Sequence, residues 1–450
     1  MTEQVSAESI SDILLSEAKK QGAEAADVLV ATGVSTSVDV RMGRLELSER
    51  AEGIDVGLRV FIGQKQAIVS GSDAKMTSLS AMVDRAVAMA KFAPDDPYCG
   101  LADPSQFAKE WDVEALDLKD PSAEPDAAVL QEAALAVEAS AMSNTQVEQV
   151  SDAAASYTKN KVYLQTSNGF TGSYERTSHG ISCVAIAGTG LGMERDYDYD
   201  GRCHRSDMRS PHEIGALAAQ RAVERLNPRK PTTGSYPVLF DERIASSLIG
   251  HLLSAVNGSS VARGVSWLRD DLGKQVLPDG MSLIEEPLRA RIGSSRPFDA
   301  EGLPKRDRAI VDNGILQGWT LNLASARKLA MEPTGNAARA AGSLPTPSVG
   351  NLSLTQGTAT RSQLIRDMGT GLVVTSLIGS TINPNTGDYS RGASGLWVEN
   401  GEVAYPVSEC TIAGNLCDML LRVIAANDAR DHVSSRVPSL LIEGMHIAGN

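Results

Sequence analysis

The side chains that a zinc hydrolase needs are few in this sequence and lie in no metal-binding arrangement. Such an enzyme uses two or three imidazole or thiolate ligands on a rigid element, together with a carboxylate that activates water. None of the six histidines stands four residues from another, and no His-Glu-x-x-His motif occurs. The histidines are His179, His204, His212, His251, His432 and His446. Only His204 and His212 are close in sequence, and they flank a predicted turn and helix start, which is a poor arrangement for one shared metal ion.

An acidic run has the spacing of the first half of a calcium-binding loop. Asp196, Asp198 and Asp200 alternate with tyrosines and precede Gly201. The twelfth position of such a loop is Asp207, whose side chain is a poorer bidentate ligand than glutamate, and no helical pattern leads into the run. We therefore predict a β-strand whose aspartates face water.

Motifs for nucleophilic hydrolysis and for phosphate binding are also absent from the sequence. There is no Gly-x-Ser-x-Gly, and Ser394 lies in a glycine-rich run instead. The run Gly188–Gly192 lacks the Gly-x-Gly-x-x-Gly spacing, and no Walker lysine occurs. A hydrolase that uses Cys203, His204 and Asp207 is a further hypothesis, and we rank it below the two functions described at the end of this subsection.

The composition is that of an acidic globular protein. The 450 residues are 42% hydrophobic and 22% charged, and the net charge of −14 disfavours direct binding to nucleic acid. No apolar run approaches the ~18 residues of a membrane span, and Met1–Val5 lacks the features of a signal peptide. The five cysteines never form a Cys-x-x-Cys pair, which indicates a reducing, cytoplasmic location.

Apolar periodicity predicts an α+β fold in which α/β units of helices packed on antiparallel strands precede a large β-rich C-terminal domain. Residues 1–95 form the first unit, and a proline-rich linker covers 96–124. Residues 125–228 form a middle α+β domain that ends in a capped helix. Residues 229–450 form the β-rich domain, in which a helix is predicted from Asp241 to Val256. Two Asn-Gly pairs predict type I′ hairpin turns, one at 168–169 and one at 400–401.

Several long motifs resemble the TldD/PmbA family of peptidase modulators. They include Thr370–Thr375, Asn383–Gly401, Tyr405–Leu416 and Met445–Asn450, with Gly53–Val60 and Thr166–Gly169 earlier in the chain. The resemblance covers nearly the whole sequence, and the C-terminal motifs are similar to those of the TldE (PmbA)-type subunit. It implies a heterodimer of this chain with a TldD-type subunit, in which the TldD-type subunit carries His-Glu-x-x-x-His on a helix and a later cysteine that bind zinc.

The resemblance places the corresponding helix of this chain around Gly250 and His251. The equivalent positions are Ser246, Ser247 and His251, so the first ligand and the general-base glutamate are both replaced by serine. One imidazole is too few to hold zinc, and no carboxylate is left there to activate water. We therefore expect no catalytic residue and no metal in this chain, with zinc in the partner subunit. Cys410 and Cys417 are predicted to be structural thiols.

The resemblance further implies a part in the proteolysis of unfolded peptides. Family members are linked to maturation of a peptide-antibiotic (microcin) precursor and to degradation of an antitoxin, and they are also described as modulators of DNA gyrase. The candidate peptide-binding residues lie in one glycine-rich segment: Gly387, Asp388, Tyr389, Ser390, Arg391 and Gly392. As a loop, it is either a structural turn or a place where an extended peptide pairs with the main chain.

Two further possibilities concern partners. The alternative function is a regulatory binding protein that acts on gyrase or on a toxin–antitoxin pair without proteolysis, since an acidic surface can compete for basic ones. The isolated chain is also expected to be capable of forming a homodimer.

Overall fold

The computed structural model describes residues 6–449 of the chain. The expectations for Met1–Val5, and the part of the C-terminal motif at Asn450, lie outside the described residues. Across 6–449, no helix is both long enough and apolar enough to span a membrane.

The first half of the chain consists of helices and long antiparallel strands. In chain order they are α1 (Ala7–Lys20), β1 (Ala25–Arg41), β2 (Arg44–Ile62), β3 (Lys65–Gly71), α2 (Met76–Phe92), α3 (Val113–Leu116), α4 (Ala127–Met142), β4 (Val147–Thr166), β5 (Thr171–Ala187), β6 (Glu194–Arg202) and α5 (Pro211–Glu224). The predicted capping box opens α5: the Ser210 hydroxyl accepts the Glu213 N–H, and the Glu213 carboxylate accepts the Ser210 N–H.

All six of these strands form one antiparallel sheet in the order β3-β2-β1-β4-β5-β6. The 17-residue strand β1 packs against two pairs of helices, α1 with α2 and α4 with α5. Val28 and Val30 near its start pack with residues of α1 and α2, whereas Val38 and Val40 near its end pack with residues of α4 and α5. The units predicted for 1–95 and 125–228 therefore share a single sheet through the pairing of β1 with β4.

Three strands of this sheet are long and continuous. They are β1, β4 and β5, with 17, 20 and 17 residues. Gly33 of β1 and Gly180 of β5 are paired within the sheet. A Cβ at either position would collide with a cross-strand side chain, Asn160 or Ser156 respectively. These glycines serve a close approach between strands rather than a turn.

The second half contains many short strands and a barrel. Its elements are β7 (Gly234–Phe240), α6 (Glu242–Ala255), α7 (Gly258–Ala262), β8 (Leu283–Glu285), β9 (Arg308–Asp312), β10 (Ile315–Leu316), α8 (Leu323–Leu329), β11 (Ala337–Ala338), β12 (Thr346–Pro347), β13 (Leu352–Leu354), α9 (Arg361–Met368), β14 (Gly371–Ile382), β15 (Asp388–Glu399), β16 (Glu402–Asn415), α10 (Leu416–Leu421), β17 (Ile424–Ala425), β18 (Ser435–Arg436) and β19 (Leu440–Ala448). One sheet has the order β16-β15-β14-β7-β19-β17, and the extra pairing of β16 with β19 closes it into a barrel. A smaller sheet has the order β10-β9-β8-β13-β18.

Only one of the two Asn-Gly turns has the predicted geometry. Asn400 and Gly401 both have positive φ, 54° and 79°, as a type I′ turn between β15 and β16 requires. Between β4 and β5, Gly169 has a φ of 109° but Asn168 is not in the left-handed region. The prediction at 168–169 is wrong because the loop is longer: the Thr166 N–H donates to the Phe170 carbonyl.

Residues 96–124, predicted to be a linker, pack against the body of the molecule. The ring of Phe107 lies 5.3 Å from that of Phe170, and Trp111 lies 5.1 Å from Phe298 of the C-terminal domain. Leu116 and Leu118 are buried. The segment therefore covers part of the junction between the long sheet and the C-terminal domain.

The face of the sheet opposite the helices meets the C-terminal domain through buried charges. Asp27 of β1 accepts hydrogen bonds from Arg59 of β2 and lies 2.6 Å from Arg339 of the C-terminal domain. All three side chains are at most 4% exposed. Burial by itself would raise the pKa of Asp27, but the charges of Arg339 and Arg59 lower it below its ordinary value.

Replacing Asp27 by Asn should lower the free energy of unfolding by about 3–5 kcal/mol, because two buried guanidinium groups would lose their counter-charge. Urea unfolding measures the change. The matched control is Asp95→Asn, at an exposed carboxylate, for which a change within about 0.5 kcal/mol is expected. Equal midpoints for the two variants would show that the ion cluster does not hold this junction together.

Glu301 is a second buried carboxyl group near this junction. It is 5% exposed, and its carboxylate accepts the Leu323 N–H at 2.8 Å. Burial, followed by the charge of Asp299, raises the pKa of Glu301 to about 7. In the folded protein this group therefore holds its proton up to about pH 7, whereas in the unfolded chain it loses the proton near its ordinary value of 4.5.

The stability that Glu301 contributes should be present at low pH and lost as the pH rises from 4.5 to about 7. Glu301→Gln removes that loss. Between these pH values its free energy of unfolding should rise by about 3 kcal/mol relative to the wild type, as measured by urea unfolding across the range. Glu332→Gln, at an exposed position, should follow the wild-type profile, and a Glu301→Gln profile parallel to the wild type would contradict the raised pKa.

Candidate functional site

A cavity of about 510 Å³ lies beside α6, where the family resemblance places the metal helix. α6 follows directly from barrel strand β7, and Asp241 caps it by accepting the Arg243 N–H. Leu248 and Leu252 on one side of the helix pack into the barrel core. The cavity is lined from α6 by Arg243, Ile244, Ser246, Ser247, Ile249, Gly250 and Leu253, and from other elements by Tyr197, Leu352, Thr375, Ser376, Leu377, Arg391 and Ser435.

The wall that β6 contributes reverses the predicted orientation of the acidic run. Asp196, Asp198 and Asp200 are at most 4% exposed, whereas Tyr197 and Tyr199 are 43% and 54% exposed. The prediction of water-facing aspartates is wrong because helices α5 and α6 bring arginines to that face of the strand. Alternation defines two faces of a strand, but the partners in space decide which face is buried.

Arginine–aspartate pairs hold this wall against α6. Arg221 of α5 lies 2.8 Å from Asp198, and Arg243 of α6 lies 2.9 Å from Asp196. Arg243 also lies 3.3 Å from Asp241 at the start of its own helix. Tyr197 lies between Asp196 and Asp198 in β6, so the ion pairs of these two aspartates fix the position of Tyr197 beside the cavity.

The three positions equivalent to the metal motif do not converge. α6 is a regular α-helix, on which residues five apart point about 140° away from each other. Ser246 lines the cavity, and the Ser247 hydroxyl donates to the Ile244 carbonyl at 2.6 Å. The His251 ring meets that of Tyr389 edge-on at 5.8 Å, and its Nε2 has no hydrogen-bond partner among residues 6–449.

Burial, followed by the charge of Arg391, lowers the pKa of His251 below its ordinary value. The imidazole is therefore neutral at pH 7. In the structure, the His251 ring packs against the ring of Tyr389.

The donor set of this cavity does not fit zinc. Of the described residues that line it, none carries an imidazole, thiol or carboxylate, and Arg391 adds a positive charge. Across the described part of the chain, no three His, Cys, Asp or Glu side chains are grouped so that they could hold a metal ion. A structural or catalytic zinc site requires three or four such ligands.

In the hydrolase hypothesis for Cys203, His204 and Asp207, the side chains of His204 and Asp207 contact residues outside the proposed site. His204 Nε2 lies 2.9 Å from the Asp117 carbonyl and 3.1 Å from its carboxylate. Asp207 pairs with Arg291 at 3.1 Å. Cys203 is buried, and burial raises the pKa of its thiol. His204 thus braces the segment around Asp117 instead of serving as a base for the thiol.

Residues 388–392 are a strand and not the predicted loop. They begin β15, which lies between β14 and β16, and Tyr389 is paired with Ile382 on one side and Gly414 on the other. Main-chain pairing with a peptide at this segment is ruled out, because both edges of the strand are already occupied. The glycines suggested a loop, but Gly392 is paired with Ile378 of β14 and with Thr411 of β16.

Cys410 and Cys417 lie outside the cavity lining. The Cys410 thiol is buried and donates to the Ala393 carbonyl, and burial raises its pKa to about 11. Cys417 is half-buried near Gly387. Of the candidate peptide-binding residues of the segment 387–392, Arg391 is the one that lines the cavity.

Comparison with known proteins is consistent along the whole chain. Residues 26–90, 116–226 and 233–449 match domain 1, the central domain and the C-terminal domain of the PmbA/TldA metallopeptidases. This chain belongs to the PmbA/TldD family. It is 39% identical to a metalloprotease PmbA homolog of Haemophilus influenzae, a match that covers 96% of this chain and 94% of that protein. Its identity to metalloprotease PmbA of Escherichia coli O157:H7 is 37%, over 97% and 94% of the two chains.

Solved structures of related proteins have the same fold. A candidate modulator of DNA gyrase from Bacteroides thetaiotaomicron superposes with a TM-score of 0.91 at 26% identity, covering 99% of this chain and all (100%) of the other. TldE from Thermococcus kodakarensis superposes with a TM-score of 0.82 at 19% identity, covering 97% and 99% of the two chains. Within this metallopeptidase family, α6 of the present chain carries serines in a cavity without metal ligands.

The double variant Ser246→His/Ser247→Glu should show no zinc-dependent peptidase activity when zinc is supplied. The two changes add one ligand and one carboxylate, but the cavity lining offers no third ligand. Hydrolysis of an unfolded peptide and zinc content after dialysis measure the outcome, with a zinc peptidase such as thermolysin as the positive control. Zinc-dependent hydrolysis by the double variant would mean that a ligand has been overlooked.

Proposed function

We propose that this chain is the non-catalytic, TldE/PmbA-type subunit of a two-subunit zinc metallopeptidase. The single observation that supports the proposal is the composition of the α6 cavity: Ser246 and Ser247 line it where the resemblance places the metal helix, and within residues 6–449 no metal-ligating side chain lines its walls. A peptidase of this family needs both the metal and a carboxylate base. Under this proposal, zinc and the base are supplied by a TldD-type partner in the cytoplasm.

The proposed role of the chain is to complete, with that partner, a chamber that admits unfolded peptides. The cavity beside α6 is of the size that peptide ends and other small ligands occupy. Its hydroxyl and guanidinium groups can bind peptide groups but offer no means of activating water. The proposed substrates are unfolded peptides, including peptide-antibiotic precursors and antitoxins.

Co-expression with the TldD-type subunit, which bears His-Glu-x-x-x-His, tests the proposal. The two chains should co-purify, and peptide hydrolysis should require both of them. Replacing the motif glutamate of the partner should abolish hydrolysis, whereas His251→Gln in this chain should leave the rate within about twofold, because His251 holds no metal and faces Tyr389.

Two results would contradict the proposal. One is hydrolysis by this chain alone with a bound zinc ion. The other is the alternative function, a regulatory protein: inhibition of DNA gyrase by the purified chain that persists when the TldD-type subunit is absent. An effect on gyrase that disappears with the partner is the result expected of a peptidase subunit.

A further inference from the structure

We propose that the cavity beside α6 binds the free carboxylate of a peptide C-terminus whose last side chain is apolar. The proposal deepens the peptide-binding role proposed above by naming the chemical group that is held. It concerns residues of this chain only, so the isolated protein is sufficient to test it.

Arg391 supplies the charge that a carboxylate requires. Its Nε donates to the Gly379 carbonyl at 2.7 Å, which fixes the guanidinium plane while other N–H groups remain available. Gly379 lies where the register of β14 and β15 shifts, and its φ of 66° turns the backbone at this point. A bulge of this kind re-aims groups at a strand's edge.

Arg391 differs from the other arginine of the cavity in having no counter-charge. Arg243 is neutralised by Asp196 and Asp241. Within residues 6–449, by contrast, Arg391 forms no ion pair with a carboxylate, and its charge is felt by His251, whose pKa it helps to lower. A fixed, unpaired guanidinium that faces a cavity is the arrangement that binds carboxylates by charge-assisted hydrogen bonds.

Hydroxyl groups surround the same space. Ser246 of α6, Thr375 and Ser376 of β14 and Ser435 of β18 all line the cavity. Each can donate a hydrogen bond to a carboxylate oxygen or accept one from a peptide N–H. Within residues 6–449, no carboxylate side chain lines the cavity to repel the anion.

The remaining wall is apolar, which distinguishes a peptide end from a simple anion. Leu253, Leu352 and Leu377 line it, with the ring of Tyr197 at one side. An apolar side chain next to the bound carboxylate would be buried there, whereas inorganic phosphate would gain nothing from this surface. The net charge of −14 also disfavours long polyanions.

An adjoining cavity of about 260 Å³ offers a path for the rest of the peptide. It shares Tyr197, Arg243, Ser246 and Ser435 with the first cavity and continues toward Tyr199 and Arg430. The two exposed tyrosines stack with ring centres 6.3 Å apart. Aromatic rings at the mouth of a site provide contact area that does not depend on the sequence of the peptide.

Fluorescence anisotropy with a labelled hexapeptide that ends in leucine and contains no acidic side chain tests this proposal. The purified full-length chain should bind the free-acid peptide at least about tenfold more tightly than the same peptide amidated at its C-terminus. Arg391→Gln should remove this preference, and Arg391→Lys should retain part of it, because lysine keeps the charge but not the planar fork.

A second variant is needed because Arg391 also donates to the Gly379 carbonyl, so replacing it could disturb β14 and β15 as well as the cavity. Ser246→Asp places a negative charge in the cavity from α6 without touching β15, and it should abolish binding of the free acid. Arg422→Gln, at an exposed arginine of the same domain, is the matched control and should bind as the wild type does. Thermal unfolding verifies that each variant is folded.

Three outcomes would overturn the proposal. The first is equal affinity for the acid and the amide, and the second is an Arg391→Gln variant that is folded and binds as the wild type does. The third is full displacement of the peptide by inorganic phosphate at the same concentration, which would indicate a general anion site. Formation of the active complex with a TldD-type partner is measured separately, so failure of the carboxylate site leaves the subunit proposal to its own experiment.

Discussion

Buried ion pairs fix the position of the long antiparallel sheet relative to the C-terminal domain. Asp27 joins Arg339 at one part of that junction, and Asp196 joins Arg243 at another. A buried charge without its partner is costly, so each pair tolerates little displacement of one domain relative to the other. The second pair joins β6 to α6 beside the cavity, which Tyr197 of β6 and Ser246 of α6 both line.

The same constraint gives the cavity its chemistry. The chain belongs to a family of metallopeptidases, and the resemblance places the metal helix at α6, where this chain has Ser246 and Ser247. Hydroxyl groups line the walls together with Arg391, which has no carboxylate partner within residues 6–449. Such a surface is suited to binding a peptide group, and within the same residues no base that could activate water lines it. Binding of a peptide is therefore the function proposed for this cavity.

Much of the fold was predictable because it depends on local patterns. The α5 capping box and the turn at Asn400–Gly401 follow from side-chain geometry within a few residues. Errors arose where partners distant in sequence decide the outcome. The aspartates of β6 were predicted to face water, since nothing local shows that Arg221 and Arg243 cover them. Residues 388–392 were predicted to be a loop, since their polar, glycine-containing composition is typical of a turn, whereas pairing with β14 and β16 makes them a strand.

The sequence by itself determined that positions 246 and 247 of α6 carry neither an imidazole nor a carboxylate, because this depends only on residue type. It also placed the chain in its family through motifs that extend along most of its length. Only the tertiary structure decided what the cavity offers in place of a metal. Arg391, Tyr197 and Ser246 come from three elements far apart in the chain, and only folding brings their side chains to one space. Linear spacing carries no information about such convergence, since it depends on how the sheet and the barrel pack together.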